Sequence, residues 1–208
     1  MAGAGILARA WAHPAVKPVV FAASLAPALG LTVGAVTGTL GPNPAEALVR
    51  GTGDWALRML WVTLALTPLR RVTGWNGLAR LRRMAGLFAA FYAGLHLAAY
   101  AWLDMGLDLP AMLQDLPKRP FVLVGALALM LMLPLVATSS DRAIRWLGAA
   151  RWRALHRSTY VIAVLVLLHF LWMRSAKNDL DEVVVHALLL ALLFAERLWH
   201  AARPRLRR

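Results

Sequence analysis

Cysteine is absent from all 208 residues. That absence removes iron–sulfur clusters, thiolate metal sites, disulfides and the thioether attachment of c-type haem. Acidic residues are scarce too: ten Asp and Glu stand against 23 Lys and Arg, for a net charge of +13. No G-x-G-x-x-G or Walker sequence occurs, so no nucleotide site is visible and any electrons have to reach the chain from another protein or a mobile carrier. No internal repeat, low-complexity tract or soluble domain is apparent.

What is abundant is apolar sequence, at 60% of residues, gathered into blocks separated by short charged clusters. About 20 apolar residues are needed for a helix to cross a bilayer core of roughly 30 Å. The blocks predict an all-α integral membrane bundle of six transmembrane helices forming a single domain over 1–208, with spans at 18–40, 52–68, 84–104, 120–138, 156–173 and 182–200. The first follows a basic start (Arg9, Lys17), but its apolar run is longer than a secretory core and lacks a clear small-residue cleavage site, so it reads as a retained helix. The second is interrupted by Arg50, Asp54 and Arg58. These lie four apart on one helical face, either as interfacial charges that pair or snorkel, or as a buried row that holds an acidic cofactor edge.

The basic residues flank the apolar blocks instead of forming a nucleic-acid footprint. With both termini on one side, 17 of the 23 basic residues fall there, with only Asp141 and Glu196 of the ten acids. Positive-inside bias makes that side, and both termini, cytoplasmic. The acids in the loops of the opposite side (Asp104, Asp108, Asp115, Asp179, Asp181, Glu182), six of the eight there, either orient a partner or are solvated loop charge. Eight of the nine tryptophans (Trp11, Trp55, Trp75, Trp102, Trp146, Trp152, Trp172, Trp199) fall near span ends, as an interfacial belt would.

Of six histidines, His13 and His200 fall at the cytoplasmic interface and His186 near the outer end of the sixth span. His96 and His169 lie deep inside apolar runs, "FYAGLHLAAYAW" and "VLVLLHFLWM", where an imidazole is costly unless paired or ligating. Both spans run from inside to outside, and similar offsets put the two rings at one depth. Two facing neutral imidazoles are what a six-coordinate haem iron requires; the plainer alternative is that each bonds a neighbouring helix. His156, at the inner end of the fifth span, is about 20 Å from His169 along a straight helix. That spacing suits a second, stacked haem, although the two would lie about 140° apart around the helix. Its depth-matched position on the third span falls at Arg82 and Arg83. Arg82 is only about 40° off the His96 face, as an unusual iron ligand or a partner for a haem propionate.

Several segments resemble the MsrQ family: "TPLRR" (67–71), "RRMAGL" (82–87), "HLAAY" (96–100), "KRPFVLVG" (118–125), "PLVATSS" (134–140), "RWRALHRSTY" (151–160) and "HFLW" (169–172). The resemblance runs from about residue 50 to 180 and is most specific around His156 and His169. This family, part of a wider ferric-reductase-like transmembrane group, supplies the haem-binding membrane subunit of a bacterial periplasmic methionine-sulfoxide reductase system. The resemblance implies haem b, one or two per chain, on His96, His169 and His156. It also implies an inner-membrane location and electron transfer to MsrP, a periplasmic molybdopterin enzyme. The donor is then the quinone pool or a cytosolic flavin reductase, with FMN or a quinone as a further bound group. Where larger ferric reductases carry a fourth histidine this chain has arginine, and their flavin and nicotinamide domain is missing. Direct ferric reduction is the competing activity, and a non-redox transporter or assembly role the third.

Overall fold

The apolar blocks become helices in a computed structural model that describes residues 10–11, 13–175 and 180–206. Arg9, Asp179, Arg207 and Arg208 lie outside the described residues, as do the side chains of Arg203 and Arg205. Among the described residues there is no strand. The helices gather into two compact units, one running up to Ala99 and taking in the chain from Leu189 onward, the other covering Tyr100–Leu188.

The first unit holds α1 (Val16–Thr37), α2 (Pro44–Thr73), a 3₁₀ turn (Asn76–Leu81), α3 (Arg82–Ala99) and the later part of the last helix, α9 (Asp181–Leu206). Asn43 starts α2 by accepting the Glu46 N–H at 3.2 Å, with Pro44 at its first position. Gly74, at φ 73°, stops it in a left-handed conformation that a Cβ would disfavour. Gly53 faces His96 while Gly86 faces Thr63, so α2 and α3 run antiparallel.

At two places in this unit a side chain bonds the backbone of a helix that carries a proline. Pro68 has no N–H for the Leu64 carbonyl one turn back, and Arg197 of α9 donates to that oxygen at 2.6 Å. Beside Pro27 of α1, the fully buried Tyr92 hydroxyl sits between Ser24 and Ala28. It donates to the Ser24 carbonyl at 2.7 Å and accepts the Ala28 N–H at 3.1 Å. The tyrosine is thus inserted into a pair that an unbroken helix would close by itself.

The second unit holds a π turn (Tyr100–Asp104), α4 (Leu109–Lys118), α5 (Pro120–Ala137), two short helices α6 (Asp141–Leu147) and α7 (Ala149–His156), α8 (Thr159–Ser175) and the start of α9. Asp108 caps α4 through the Ala111 N–H at 2.9 Å, and Ser140 caps α6 through the Ala143 N–H at 3.1 Å. Gly125 faces His169 near one end of α5, and Thr138 meets His156 at the other, so α5 and α8 are antiparallel.

Five helical runs are long and apolar enough to cross a membrane: Val16–Thr37, Asn76–Asp104, Pro120–Ala137, Ala149–Ser175 and Asp181–Ala202. The sixth expected span, 52–68, is part of a helix of 30 residues, but charges at Glu46, Arg50, Asp54, Arg58, Arg70 and Arg71 break its apolar run. Protein covers α2 instead: Leu57, Met59, Leu60, Trp61, Leu64 and Leu66 are buried. Of the charged row, Arg50 pairs with Glu46 and Arg58 lies over the Trp55 ring at 5.0 Å.

The span expected over 156–173 is matched by α8, within the apolar run Ala149–Ser175, with a two-residue turn near its start. α7 ends at His156 and α8 begins at Thr159. At the junction the Ser158 hydroxyl donates to the Leu155 carbonyl at 2.7 Å and Thr159 to the His156 carbonyl at 2.8 Å. The straight-helix separation of His156 from His169, in length and in angle, therefore does not apply.

Removing the inserted hydroxyl leaves a buried carbonyl and N–H held apart. Tyr92→Phe is expected to cost about 1–3 kcal/mol, seen as a lower unfolding midpoint in detergent without loss of helicity.

Candidate functional site

Each deep histidine sits in the same local setting, one in each unit. In the first, His96 Nδ1 is 2.8 Å from the carbonyl of Val49, in the early part of α2. In the second, His169 Nδ1 is 2.6 Å from the carbonyl of Phe121, in the first turn of α5. A carbonyl only accepts, so each contact calls for a proton on Nδ1, which in a neutral ring puts the lone pair on Nε2. The bonded residues are 47 and 48 positions apart in the chain.

A glycine lies one turn beyond each carbonyl. A Cβ built on Gly53 would fall 3.0 Å from His96 Nδ1, and one on Gly125 would fall 2.8 Å from His169 Nδ1. The Gly125 distance is closer than a Cβ allows without displacing the ring, and the Gly53 distance would push the ring by a few tenths of an ångström. Both histidines are only partly buried.

His156 is held differently. Its Nε2 is 3.1 Å from Thr138 Oγ1, and its ring stacks on Trp152 with centroids 4.0 Å apart. The Thr138 hydroxyl already donates to the Pro134 carbonyl at 2.6 Å, so it accepts from His156 Nε2. The Trp152 indole donates to the Thr138 carbonyl at 2.9 Å and completes the cluster. Arg82 is the exposed first residue of α3, at the opposite end of that helix from His96. His186 meets the Phe170 ring edge-on at 5.5 Å, and His200 pairs with Glu196 at 3.3 Å. His13 accepts the Ala15 N–H at 3.2 Å. Among the described residues no three His, Asp or Glu side chains converge as a chelating cluster.

A network next to the His169 setting was not anticipated. Arg119 pairs with Asp115 through Nε at 2.6 Å, and the Tyr100 hydroxyl donates to Asp115 Oδ2 at 2.8 Å. The Arg119 guanidinium lies 5.9 Å from the centroids of both the Tyr100 and Phe121 rings. It fixes the chain just ahead of Phe121, whose carbonyl takes the His169 proton. The hydrogen bonds from Arg119, and secondarily from Tyr100, hold the Asp115 carboxyl below its ordinary value of 3.8. The Asp115 bond in turn raises Arg119. Much of the outer acid set thus has a structural partner: Asp108 caps α4, Asp115 pairs with Arg119, and Glu182 with Arg174.

Val49, Gly53, Phe121 and Gly125 escaped the sequence reading because the acceptors are main-chain atoms. The available signal was the isolated glycine inside an apolar helical pattern, which is disfavoured unless something packs there.

A family model described as ferric reductase like transmembrane component matches residues 52–167. A relative from Polaromonas naphthalenivorans (strain CJ2), described as a protein-methionine-sulfoxide reductase heme-binding subunit MsrQ, is 53% identical over 196 residues, covering 94% of this chain and 90% of its own. Proteins of the same description from Herminiimonas arsenicoxydans and Bordetella pertussis (strain Tohama I) are 45% and 50% identical. They cover 91% and 88% of this chain, and 87% and 88% of their own. No solved structure matches.

A carboxylate whose folded value is depressed stabilises the fold in full above its unfolded value, and that contribution is lost as pH falls through the folded one. The unfolding midpoint in detergent is therefore expected to drop as pH is lowered past about 4. Asp115→Asn should start lower at neutral pH and show a flatter acid limb.

Proposed function

The chain belongs to the MsrQ family, within the ferric reductase like transmembrane components, and on that premise we propose that it is a b-type cytochrome subunit. It passes electrons across the bacterial inner membrane to a periplasmic molybdopterin methionine-sulfoxide reductase, MsrP. The donor is quinol or a cytosolic flavin reductase, and FMN or quinone is the group such a donor would bring.

In this reading α2 joins the five apolar runs as a sixth crossing of a single membrane domain, with both termini cytoplasmic. The arginine placement supports that orientation. The wide exposure of Val19, Phe21, Leu29, Val33, Leu133 and Leu192 suits contact with lipid. Protein packing around α2 offsets its charges.

His96 and His169 are the residues that would hold a haem, each through Nε2. The observation that carries this is the shared setting: a carbonyl takes each Nδ1 proton and directs Nε2 as the ligating atom, the arrangement that metal-binding imidazoles adopt. The haem supplies a one-electron couple between the ferric and ferrous states. The histidines would fix its orientation. His156 would be the haem residue at the point where the electron enters. A second haem on His156 requires its Nε2 to leave Thr138, so this site differs in kind from the outer one. Arg82 would serve as a ligand or as a propionate partner.

Direct ferric reduction is the competing reading, favoured by the family description. The purified protein, reduced anaerobically and mixed with a periplasmic molybdopterin methionine-sulfoxide reductase, is expected to reoxidise many-fold faster than with a ferric chelate. The reverse order of rates would make it a metal reductase.

A further inference from the structure

The two histidine settings share more than a hydrogen bond. In an α-helix the carbonyl of residue i accepts the N–H of residue i+4. The helical partner of the Val49 carbonyl is therefore the N–H of Gly53, and that of Phe121 is the N–H of Gly125. In both units the carbonyl that receives the imidazole proton is the one whose helical bond ends on the glycine. A side chain on that glycine would stand over the carbonyl, in the space the ring occupies. The short distances from the built Cβ atoms to Nδ1 express this directly.

Other helical glycines lack the relationship. Gly30 and Gly94 have nothing within 4 Å, and Gly86 meets only a Thr63 methyl at ordinary distance. Gly34 and Gly51 approach the ends of leucine side chains, which can turn aside. A planar ring fixed by its own hydrogen bond cannot.

We propose that Gly53 and Gly125 are positioning residues. Each opens one backbone carbonyl to a neighbouring imidazole, and so sets the tautomer, the ring plane and the donor strength of His96 or His169. This rests on the reading of those histidines as axial ligands. An Nδ1–H bonded to a carbonyl makes Nε2 a stronger donor, and a stronger donor favours the ferric over the ferrous state. The consequence is a lower reduction potential than unbonded imidazoles would give. It also makes the two ligands electronically alike, since both rest on the same construction.

The test uses the full-length protein in detergent, with two readouts. In haem-free wild-type protein carrying ¹⁵N-histidine, NMR should find His96 and His169 protonated at Nδ1. An Nε2-protonated tautomer at either overturns the proposal, and this measurement needs no variant to fold. In haem-loaded protein, Gly53→Ala and Gly125→Ala should each raise the midpoint potential and shift the low-spin electron paramagnetic resonance signal, or lose haem while remaining helical. Gly94→Ala, two residues from His96, should match wild type. Alanine variants at 53 and 125 that keep wild-type potential and resonance would overturn the proposal. Wild-type protein that binds no haem would instead defeat the ligand assignment, leaving the tautomer measurement to judge the glycines.

Discussion

A hydrogen bond from an imidazole Nδ1 to a main-chain carbonyl is the interaction on which the site depends. An imidazole set among apolar helices is unstable unless its N–H is satisfied. Satisfying it with a carbonyl leaves only one nitrogen for any other purpose. The chain makes this bond twice, at Val49 and Phe121, and both times the donor comes from an antiparallel neighbour in the same unit. Helix register, the placement of glycine and the direction of Nε2 all follow from the demand that the ring reach a carbonyl already engaged within a helix.

The same accounting governs the rest of the fold. At Pro68 and next to Pro27 in the first unit, a polar side chain bonds the helix backbone. Arg197 serves the carbonyl left by Pro68, and Tyr92 enters the ladder next to Pro27. Charge is treated likewise: Arg50 finds Glu46, Arg71 finds Glu196 and Arg174 finds Glu182. In each pair at least one side chain stays open to its surroundings, so α2 keeps its charges outward while its apolar residues supply much of the buried core of its unit.

The sequence announced its helices through apolar block length, and their observed bounds lie within a few residues of expectation for the first, third, fourth, fifth and sixth blocks. It announced His96 and His169 through their depth. Three things were not legible. The hydropathy of α2 understates its role, because burial by protein leaves no continuous apolar run. The break between His156 and Thr159 arises from hydroxyls that bond carbonyls locally, which a periodicity argument passes over. The glycine–carbonyl settings join positions nearly fifty residues apart through main-chain atoms that carry no residue identity. Their near-identity across two units is a structural repeat without a sequence repeat.

The most direct test of the account is the reduced-minus-oxidised optical spectrum of the purified chain, with haem quantified per polypeptide, for wild type, His96→Ala and His169→Ala. The account predicts a b-type signal in wild type that disappears in each variant while membrane insertion and helicity persist. Absence of the signal in wild type, or an undiminished signal in both variants, would contradict it.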